Sequence, residues 1–257
     1  MSHLSIRGVS RRFDAPGGAS VLALDGTSIE IPSGTFVSII GPSGCGKSTL
    51  FNIIAGLDRP TEGQVLLAGE VCTGQQGLVG YMLQKDLLLP WRTILGNIVL
   101  GLEIAGVRRR QRESLAYRFL AHYGLAGFED RYPTQLSGGM RQRAALLRTI
   151  LFNREVLLLD EPFGALDALT RAQMQEWLLD MWDDLGKTVL FVTHDIDEAV
   201  YLSDVVYVMS PRPGRIVDRL DIDLPRPRKP AIVTSSRFTE LKEVALGLLG
   251  EREAVAA

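Results

Sequence analysis

Short apolar runs alternate along the chain with amphipathic segments, and the two patterns predict different elements. Runs that are apolar at nearly every position are typical of strands buried on both faces of a parallel sheet. Segments with apolar residues three and four positions apart are typical of helices that bury one face. We predict strands at 21–31, 35–40, 156–159, 188–193 and 204–210, and helices from about Lys47 and at 94–104, 108–123, 138–152, 170–185, 196–202 and 238–249.

The order of these elements predicts an α/β fold. Strands that alternate with helices favour a mostly parallel sheet with helices on its faces. A run of helices between about 86 and 153 interrupts the alternation, and we interpret it as an inserted helical subdomain. The segment 211–230 is rich in proline and arginine, and we expect it to be a turn and a linker before the terminal helix.

A glycine-rich segment lies between the predicted strand 35–40 and the helix that begins near Lys47. Clustered backbone N–H donors at a helix N-terminus bind phosphate, and only small residues let the backbone approach it closely. A lysine adds positive charge for the β- and γ-phosphates, and a serine hydroxyl is a ligand for Mg²⁺. The segment matches this pattern from Gly41 through Pro42, Ser43, Gly44, Cys45, Gly46, Lys47 and Ser48 to Thr49.

Two carboxylates follow the predicted strand 156–159. Asp160 is expected to hold Mg²⁺, directly or through water, because the carboxyl ends of parallel strands face the crevice where nucleotides bind. Glu161 is a candidate general base that would polarise an attacking water molecule. An acidic cap between a strand and a loop would show the same two residues, and the glycine-rich segment is what favours the catalytic interpretation.

A second predicted helix begins with the features of an anion site. Ser137 is a typical helix N-cap, and Gly138 and Gly139 follow it directly. A helix N-terminus attracts anions, although an ordinary capped helix would have the same sequence. The chain thus has two candidate phosphate-binding segments.

Together these motifs resemble the ATP-binding cassette family, over about residues 4–224. The resemblance implies a phosphate-loop (RecA-like) core with a mostly parallel sheet, an antiparallel β subdomain and an inserted α-helical subdomain. It implies a cassette domain over 1–225 and a short extension with one helix over 226–257. ATP and Mg²⁺ are the implied ligands, and ATP hydrolysis is the implied activity. In this family the Ser-Gly-Gly segment of one subunit closes on the γ-phosphate held by the other, which implies a head-to-tail homodimer with two ATP molecules at its interface.

Four further residues match the family's pattern one by one. Phe13 matches the aromatic residue that stacks on adenine, although an ordinary core phenylalanine would also fit. Gln84 matches the glutamine that senses Mg²⁺, with a buried glutamine that has no ligand as the alternative. Asp167 lies in the loop that crosses the dimer interface, and His194 matches the histidine that contacts the γ-phosphate. The implied catalytic residues are Glu161, His194 and Lys47, and the implied metal-binding residues are Ser48, Gln84 and Asp160.

Composition narrows the class of protein. The chain has 28 Lys and Arg against 30 Asp and Glu, and a formal net charge of -2 argues against a protein that coats nucleic acid. Its two cysteines, Cys45 and Cys72, form no metal-binding or disulfide pattern. No apolar run approaches the roughly 18 to 20 residues of a membrane span. We therefore expect a cytoplasmic protein, and the family resemblance implies that it is peripheral on the inner face of the cell membrane.

Three looser segments resemble one group within that family, the nitrate, sulfonate and taurine importers. They are the Leu-Leu-Pro-Trp-Arg-Thr sequence at 88–93, the segment 209–217 and the segment 224–228. The resemblance implies the ATPase subunit of an importer, with two integral membrane permease subunits docked near Gln84 and Trp91 and, indirectly, a solute-binding protein. A loop packed on its own helical subdomain would also explain 85–93. An exporter or lipid-handling ATPase stays open, as does, with less support, an ATPase that acts on ribosomes or DNA.

Overall fold

The computed structural model describes residues 2–14 and 20–256, which form two β-sheets flanked by helices. The strands are β1 (Ser2–Asp14), β2 (Ser20–Pro32), β3 (Phe36–Ile40), β4 (Glu62–Leu67), β5 (Glu70–Val71), β6 (Gly80–Met82), β7 (Val156–Asp160), β8 (Thr188–Val192), β9 (Val205–Met209) and β10 (Ile216–Asp221). The smaller sheet is antiparallel, with strand order β2–β1–β4–β5. The larger sheet has the order β10–β9–β3–β8–β7–β6 and is parallel except for β10 at its edge.

The larger sheet separates two hydrophobic cores. Every residue of β3, β7, β8 and β9 is buried, which explains why these strands are apolar at nearly every position. Successive side chains of a strand point to opposite faces of the sheet. Accordingly, Phe36 and Ile40 of β3 belong to one core, and Val37 and Ile39 belong to the other.

Helices cover both faces of this sheet. α1 packs with β1 and β2 in the second core, whereas α5, α6, α7 and the first half of α8 contribute to the first. The predicted helix 94–104 is present as two short helices that meet at Val99. The helices are α1 (Lys47–Ile54), α2 (Ile94–Ile98), α3 (Leu100–Ile104), α4 (Arg109–His122), α5 (Gly138–Leu151), α6 (Ala168–Leu185), α7 (Ile196–Leu202) and α8 (Ser236–Ala256).

The prediction that 211–230 is only a turn and a linker is wrong. β10 (Ile216–Asp221) lies within this segment and pairs antiparallel with β9. After β10, Arg226 donates to Asp204 Oδ1 at 2.8 Å, and the buried Arg228 donates to the Tyr201 and Ser203 carbonyls at 2.9 and 2.7 Å. These carbonyls lie at the end of α7, where backbone acceptors lack helical partners. The arginine-rich segment therefore fastens the chain to α7.

None of the described helices is both long and apolar enough to cross a membrane.

The division of the chain into a cassette domain and an extension at residue 225 stays a prediction. Phe238, Leu241 and Ala245 of α8, which follow that boundary, belong to the same core as the larger sheet.

Candidate functional site

The glycine-rich segment forms the loop between the end of β3 and the start of α1. Gly46 directly precedes α1 with a φ of 114°, a backbone conformation that glycine adopts readily. A Cβ atom at Gly46 would lie 2.8 Å from Leu24 Cδ2 and 3.0 Å from the Ala23 carbonyl oxygen. The loop therefore passes against β2 so closely that no side chain fits at this position.

Lys47 is the first residue of α1 and is buried. Its Nζ donates to the Gly41 carbonyl at 2.7 Å and to the Pro42 carbonyl at 3.0 Å. Both partners are neutral carbonyl groups, and within the described residues no carboxylate forms a direct ion pair with Lys47, although the nearby Asp160 interacts with its charge. A buried cation beside loop amides at a helix N-terminus favours an anion, and the loop therefore fits a phosphate group.

Asp160 ends β7 and is buried beside the same loop. Burial raises the pKa of Asp160, and a hydrogen bond with Ser48 and the charge of Lys47 oppose that rise, whereas the neighbouring Glu161 adds to it. A carboxylate and a hydroxyl are hard oxygen ligands of the kind that Mg²⁺ takes, together with phosphate oxygens. The pair formed by Asp160 and Ser48 therefore fits a magnesium ion bound to a nucleotide.

Gln84, Glu161 and His194 are far apart in the sequence and meet at the edge of the larger sheet. Glu161 Oε2 accepts a hydrogen bond from Gln84 Nε2 at 3.1 Å and lies 3.3 Å from His194 Nδ1. The three residues follow the adjacent parallel strands β6, β7 and β8, whose carboxyl ends share one edge of the sheet. The topology thus assembles the carboxylate, amide and imidazole that the sequence motifs predict.

The backbone of Glu161 has an unusual conformation. Its φ is 43°, in the left-handed region that non-glycine residues seldom adopt, and its N–H donates to the Val192 carbonyl at 2.9 Å. Such residues occur often at active sites, where the surrounding structure holds them in place. The hydrogen bond to β8 fixes the point at which the Glu161 side chain leaves the sheet.

Lys47, Ser48, Gln84, Glu161 and His194 line a cleft with a volume of about 560 Å³, which is within the usual range for small-molecule sites. The buried Asp160 is not among the lining residues. Phe13 lies at the cleft and is 40% exposed, so it is not an ordinary core residue. The Arg11 guanidinium lies 4.4 Å from the centre of the Phe13 ring. The cleft is lined by Phe13, Val21, Ala23, Ser43, Gly44, Gly46, Lys47, Ser48, Thr49, Gln84, Glu161, His194 and Arg212.

The second phosphate-binding segment does not line this cleft. Ser137 caps α5, its Oγ accepting from the Met140 N–H at 3.3 Å, and both Ser137 and Gly138 are exposed. Asp167 caps α6 through a 3.0 Å bond from the Thr170 N–H, which holds the pKa of Asp167 below its usual range. Within one chain, the structure therefore leaves Ser137, Gly138, Gly139 and Asp167 outside the cleft.

Sequence reasoning missed three residues that line the cleft, namely Val21, Ala23 and Arg212. The charged residue among them is Arg212. It lies in the loop between β9 and β10, and its Nε and Nη2 both donate to the Gly44 carbonyl, at 3.2 and 3.1 Å. This contact depends on the return of the chain after β9, which no local pattern indicates.

Comparisons with known proteins agree with this geometry. The model of the ABC transporter family matches residues 24–164. The chain is 48% identical over 246 residues to an uncharacterized ABC transporter ATP-binding protein of Methanocaldococcus jannaschii, covering 96% of this chain and 91% of that protein. It is 46% identical over 246 residues to the taurine import ATP-binding protein TauB of Rhizobium johnstonii, covering 94% of each.

Solved structures agree as well. The dimeric structure of MJ0796, a bacterial ABC transporter cassette, superposes with a TM-score of 0.74 at 31% identity and covers 86% of this chain and all of that one. A second structure of the same cassette, in a post-hydrolysis state bound to ADP and Pi, also has a TM-score of 0.74. The chain therefore belongs to the ABC transporter family and is an ATP-hydrolysing cassette of that family.

Proposed function

We propose that this chain is the ATP-hydrolysing subunit of an importer that takes up a small solute through separate membrane subunits. The convergence of Gln84, Glu161 and His194 beside the phosphate loop carries the proposal, because it places a base, an amide and an imidazole at one point. Similarity to taurine import ATP-binding proteins supports the choice of import and of a sulfonate-like solute.

The residues at the site have separate roles in ATP hydrolysis. The loop amides and Lys47 bind the β- and γ-phosphates. Ser48 and Asp160 hold Mg²⁺, which supplies charge neutralisation at the phosphates when it is bound. Glu161 accepts a proton from the attacking water. His194, which is 61% exposed and whose Nδ1 lies 3.3 Å from Glu161 Oε2, contacts the γ-phosphate. Gln84 binds the metal ion and Phe13 stacks on the adenine.

A second copy of the chain completes the site. Ser137, Gly138 and Asp167 lie outside the cleft of their own chain. All three are exposed, Asp167 at the N-terminus of α6 and the other two at the N-terminus of α5. A head-to-tail homodimer would bring the N-terminus of α5 to the γ-phosphate bound by the other copy, with two ATP molecules at the interface. The related cassette MJ0796 forms a dimer, which supports this arrangement.

The membrane subunits dock on the loop that follows Gln84. Trp91 in this loop is 71% exposed and Leu87 is also exposed, and large apolar side chains exposed together in one loop form a surface that a partner can cover. Arg148 of α5 donates to the Asp86 and Leu87 carbonyls at 2.6 and 2.7 Å, so the loop is held rigidly. Docking at this surface makes the protein peripheral on the inner face of the membrane, with a solute-binding protein as an indirect partner.

The substitution Glu161→Gln tests the mechanism, with Glu243→Gln on the exposed face of α8 as the matched control. The Glu161→Gln variant should bind MgATP, fail to hydrolyse it and shift from monomer to dimer on a sizing column. The control should hydrolyse ATP like the wild type. Normal hydrolysis by Glu161→Gln would show that another group is the base.

Direction and solute are tested in vesicles that contain the membrane subunits copurified with the tagged chain. With ATP on the cassette side, labelled taurine should move away from a solute-binding protein and towards the cassette. Transport in the opposite direction would favour an exporter, and transport of other solutes only would exclude the sulfonate assignment.

A further inference from the structure

The loop between β9 and β10, residues 210–215, lies between the phosphate loop and β2. Gly214 donates its N–H to the Ala23 carbonyl at 2.9 Å, and its own carbonyl accepts from the Asp25 N–H at 3.0 Å. On its other side, a Cβ atom at Gly214 would lie 2.2 Å from the Cys45 carbonyl oxygen. The 210–215 loop is therefore fixed against the outside of the phosphate loop at the level of the backbone.

Arg212 extends from this loop to the cleft. Two N–H groups of Arg212 donate to the Gly44 carbonyl and hold the guanidinium in one orientation. Because a carbonyl is neutral, it does not balance the positive charge of the guanidinium. The neighbouring arginines are different, since Arg215 pairs with Asp25 and Arg219 pairs with Asp221. In the described residues no carboxylate forms an ion pair with Arg212, so it is a fixed cation that faces the cleft without an anionic partner.

We propose that Arg212 is a nucleotide-binding residue whose guanidinium attracts the phosphates of a nucleoside di- or triphosphate. Arginine is suited to this role because its planar donors bind phosphate oxygens while others hold a second acceptor. The Gly44 carbonyl positions the group, so little side-chain entropy is lost when the nucleotide binds. The inference rests on the proposed function, in which this cleft binds ATP.

Arg212→Ala, Arg212→Lys and the matched control Arg219→Ala test the proposal. The full chain is titrated without Mg²⁺ with fluorescent derivatives of ATP, ADP and AMP, and its thermal unfolding is recorded without nucleotide. Arg212→Ala should raise the Kd for ATP and ADP by about threefold to tenfold, as expected for an exposed charge-assisted contact. The factor by which Arg212→Ala raises the Kd for AMP should be less than half of the factor for ATP. The loss of ATP affinity should become smaller as salt is added, because salt screens the charge of Arg212.

Arg212→Lys keeps the charge but loses the two-point bond to Gly44, so its Kd for ATP should be intermediate. Arg219→Ala should bind like the wild type. Equal ATP affinity in Arg212→Ala and the wild type would overturn the proposal, and so would an equal loss for AMP and ATP, which would indicate a purely structural role.

If Arg212→Ala does not fold, Arg212→Gln replaces it, because glutamine can still donate to Gly44 but carries no charge. A wild-type chain that binds no ATP would instead contradict the proposed function, and the two failures are therefore distinguishable.

Discussion

The two helix N-termini predicted to bind phosphate differ in how much of the site their own chain supplies. At the start of α1, Lys47 is buried, Asp160 and Ser48 lie beside it, and the 210–215 loop supports the phosphate loop from outside. At the start of α5, Ser137 and Gly138 are exposed, and the Ser137 side chain caps the helix by accepting a hydrogen bond from the Met140 N–H. The first site is assembled within the monomer and the second is not.

Glycine is needed at the two sites for different reasons. Gly46 is required by its own chain, because its φ is 114° and β2 leaves no room for a side chain. A Cβ atom at Gly138 would meet only the end of the Arg141 side chain, at 4.0 Å. Nothing within the described monomer therefore requires glycine at 138, which is the expected situation for a residue that contacts a second copy.

The largest expected effect is the loss of the cation at the assembled site. Lys47→Ala should lower ATP affinity and hydrolysis by at least about 100-fold, because several charge-assisted hydrogen bonds to phosphate are lost together. Titration with fluorescent ATP and a phosphate-release assay measure this loss. The matched control is Lys187→Ala, which removes another buried lysine, one paired with Glu155 outside the cleft. If Lys47→Ala bound ATP as tightly as the wild type, the site at α1 would not depend on its buried cation, and the comparison of the two helix N-termini would be wrong.

The next largest effect separates the two glycines. Gly138→Ala should leave the ATP affinity of the monomer unchanged but lower hydrolysis about tenfold or more, because a methyl group blocks the approach of the other copy's nucleotide. Its thermal stability should be unchanged or slightly higher, since alanine favours a helix by about 0.5 to 1 kcal/mol over glycine. Nucleotide titration, a phosphate-release assay and calorimetry measure these three properties. ATP-dependent dimerisation of the double variant with Glu161→Gln tests whether the two copies still close.

Gly46→Ala is the contrasting variant. It should lose about 1 to 3 kcal/mol of stability together with nucleotide binding, because the strained backbone and the contact with β2 both lie within the monomer. If Gly138→Ala were the less stable of the two, the conclusion that its glycine serves a partner would be wrong.

The same contrast explains what the sequence could predict. The central strands were predicted because burial on both faces makes β3, β7, β8 and β9 apolar throughout. β1 was missed because its pairing with β2 shifts register several times, which disrupts the alternation, and β6 has only three residues. Strand patterns are visible in sequence only where burial is regular along the strand.

Within the site, three groups of residues differ in how they could be predicted. The residues of local motifs follow from spacing, Phe13, Gln84 and His194 were predicted only through the family resemblance, and Arg212 was missed. The phosphate loop and the pair Asp160 and Glu161 are contiguous in the sequence, so their chemistry can be inferred from spacing alone. Arg212 is separated from Gly44 by 168 positions, and its contact requires β9 to pair beside β3 and then return as β10. The short-range pattern of 211–230 contains no sign of that return.

A smaller effect concerns the stability that the fold loses because the assembled site contains the buried carboxylate of Asp160. Burial raises the pKa of Asp160, so the folded protein binds this proton more readily than the unfolded chain does. The carboxylate thus destabilises the fold at neutral pH, and this destabilisation disappears as the pH falls through the raised pKa. Asp160→Asn should therefore stabilise the protein without nucleotide by about 0.5 to 2 kcal/mol at pH 7, at the expense of hydrolysis.

The measurement is thermal unfolding of Asp160→Asn and the wild type from pH 8 down to acidic pH. The difference between them should be largest at the alkaline end and should shrink as the pH falls through the raised pKa of Asp160. A matched substitution at an exposed carboxylate, Asp218→Asn, should show no such trend. A stabilisation that grows as the pH falls would mean that Asp160 is held by favourable partners, and the site would then be less strained than its burial indicates.

The smallest effect on the isolated chain is expected at the surface for the membrane subunits. Trp91 is 71% exposed, so Trp91→Ala should change stability by less than about 0.5 kcal/mol and leave ATP hydrolysis by the isolated chain unchanged. Buried tryptophans at interfaces often contribute about 2 kcal/mol or more to the binding free energy, so copurification of the membrane subunits should fall at least tenfold.

Ile104→Ala is the matched control, because Ile104 is similarly exposed on α3, outside the loop that follows Gln84. Equal losses for both variants would mean that general surface hydrophobicity, rather than the loop after Gln84, attracts the membrane subunits. Loss for Trp91→Ala alone would place the docking surface directly beside the amide that contacts Glu161, and thus connect the membrane partner to the assembled half of the site.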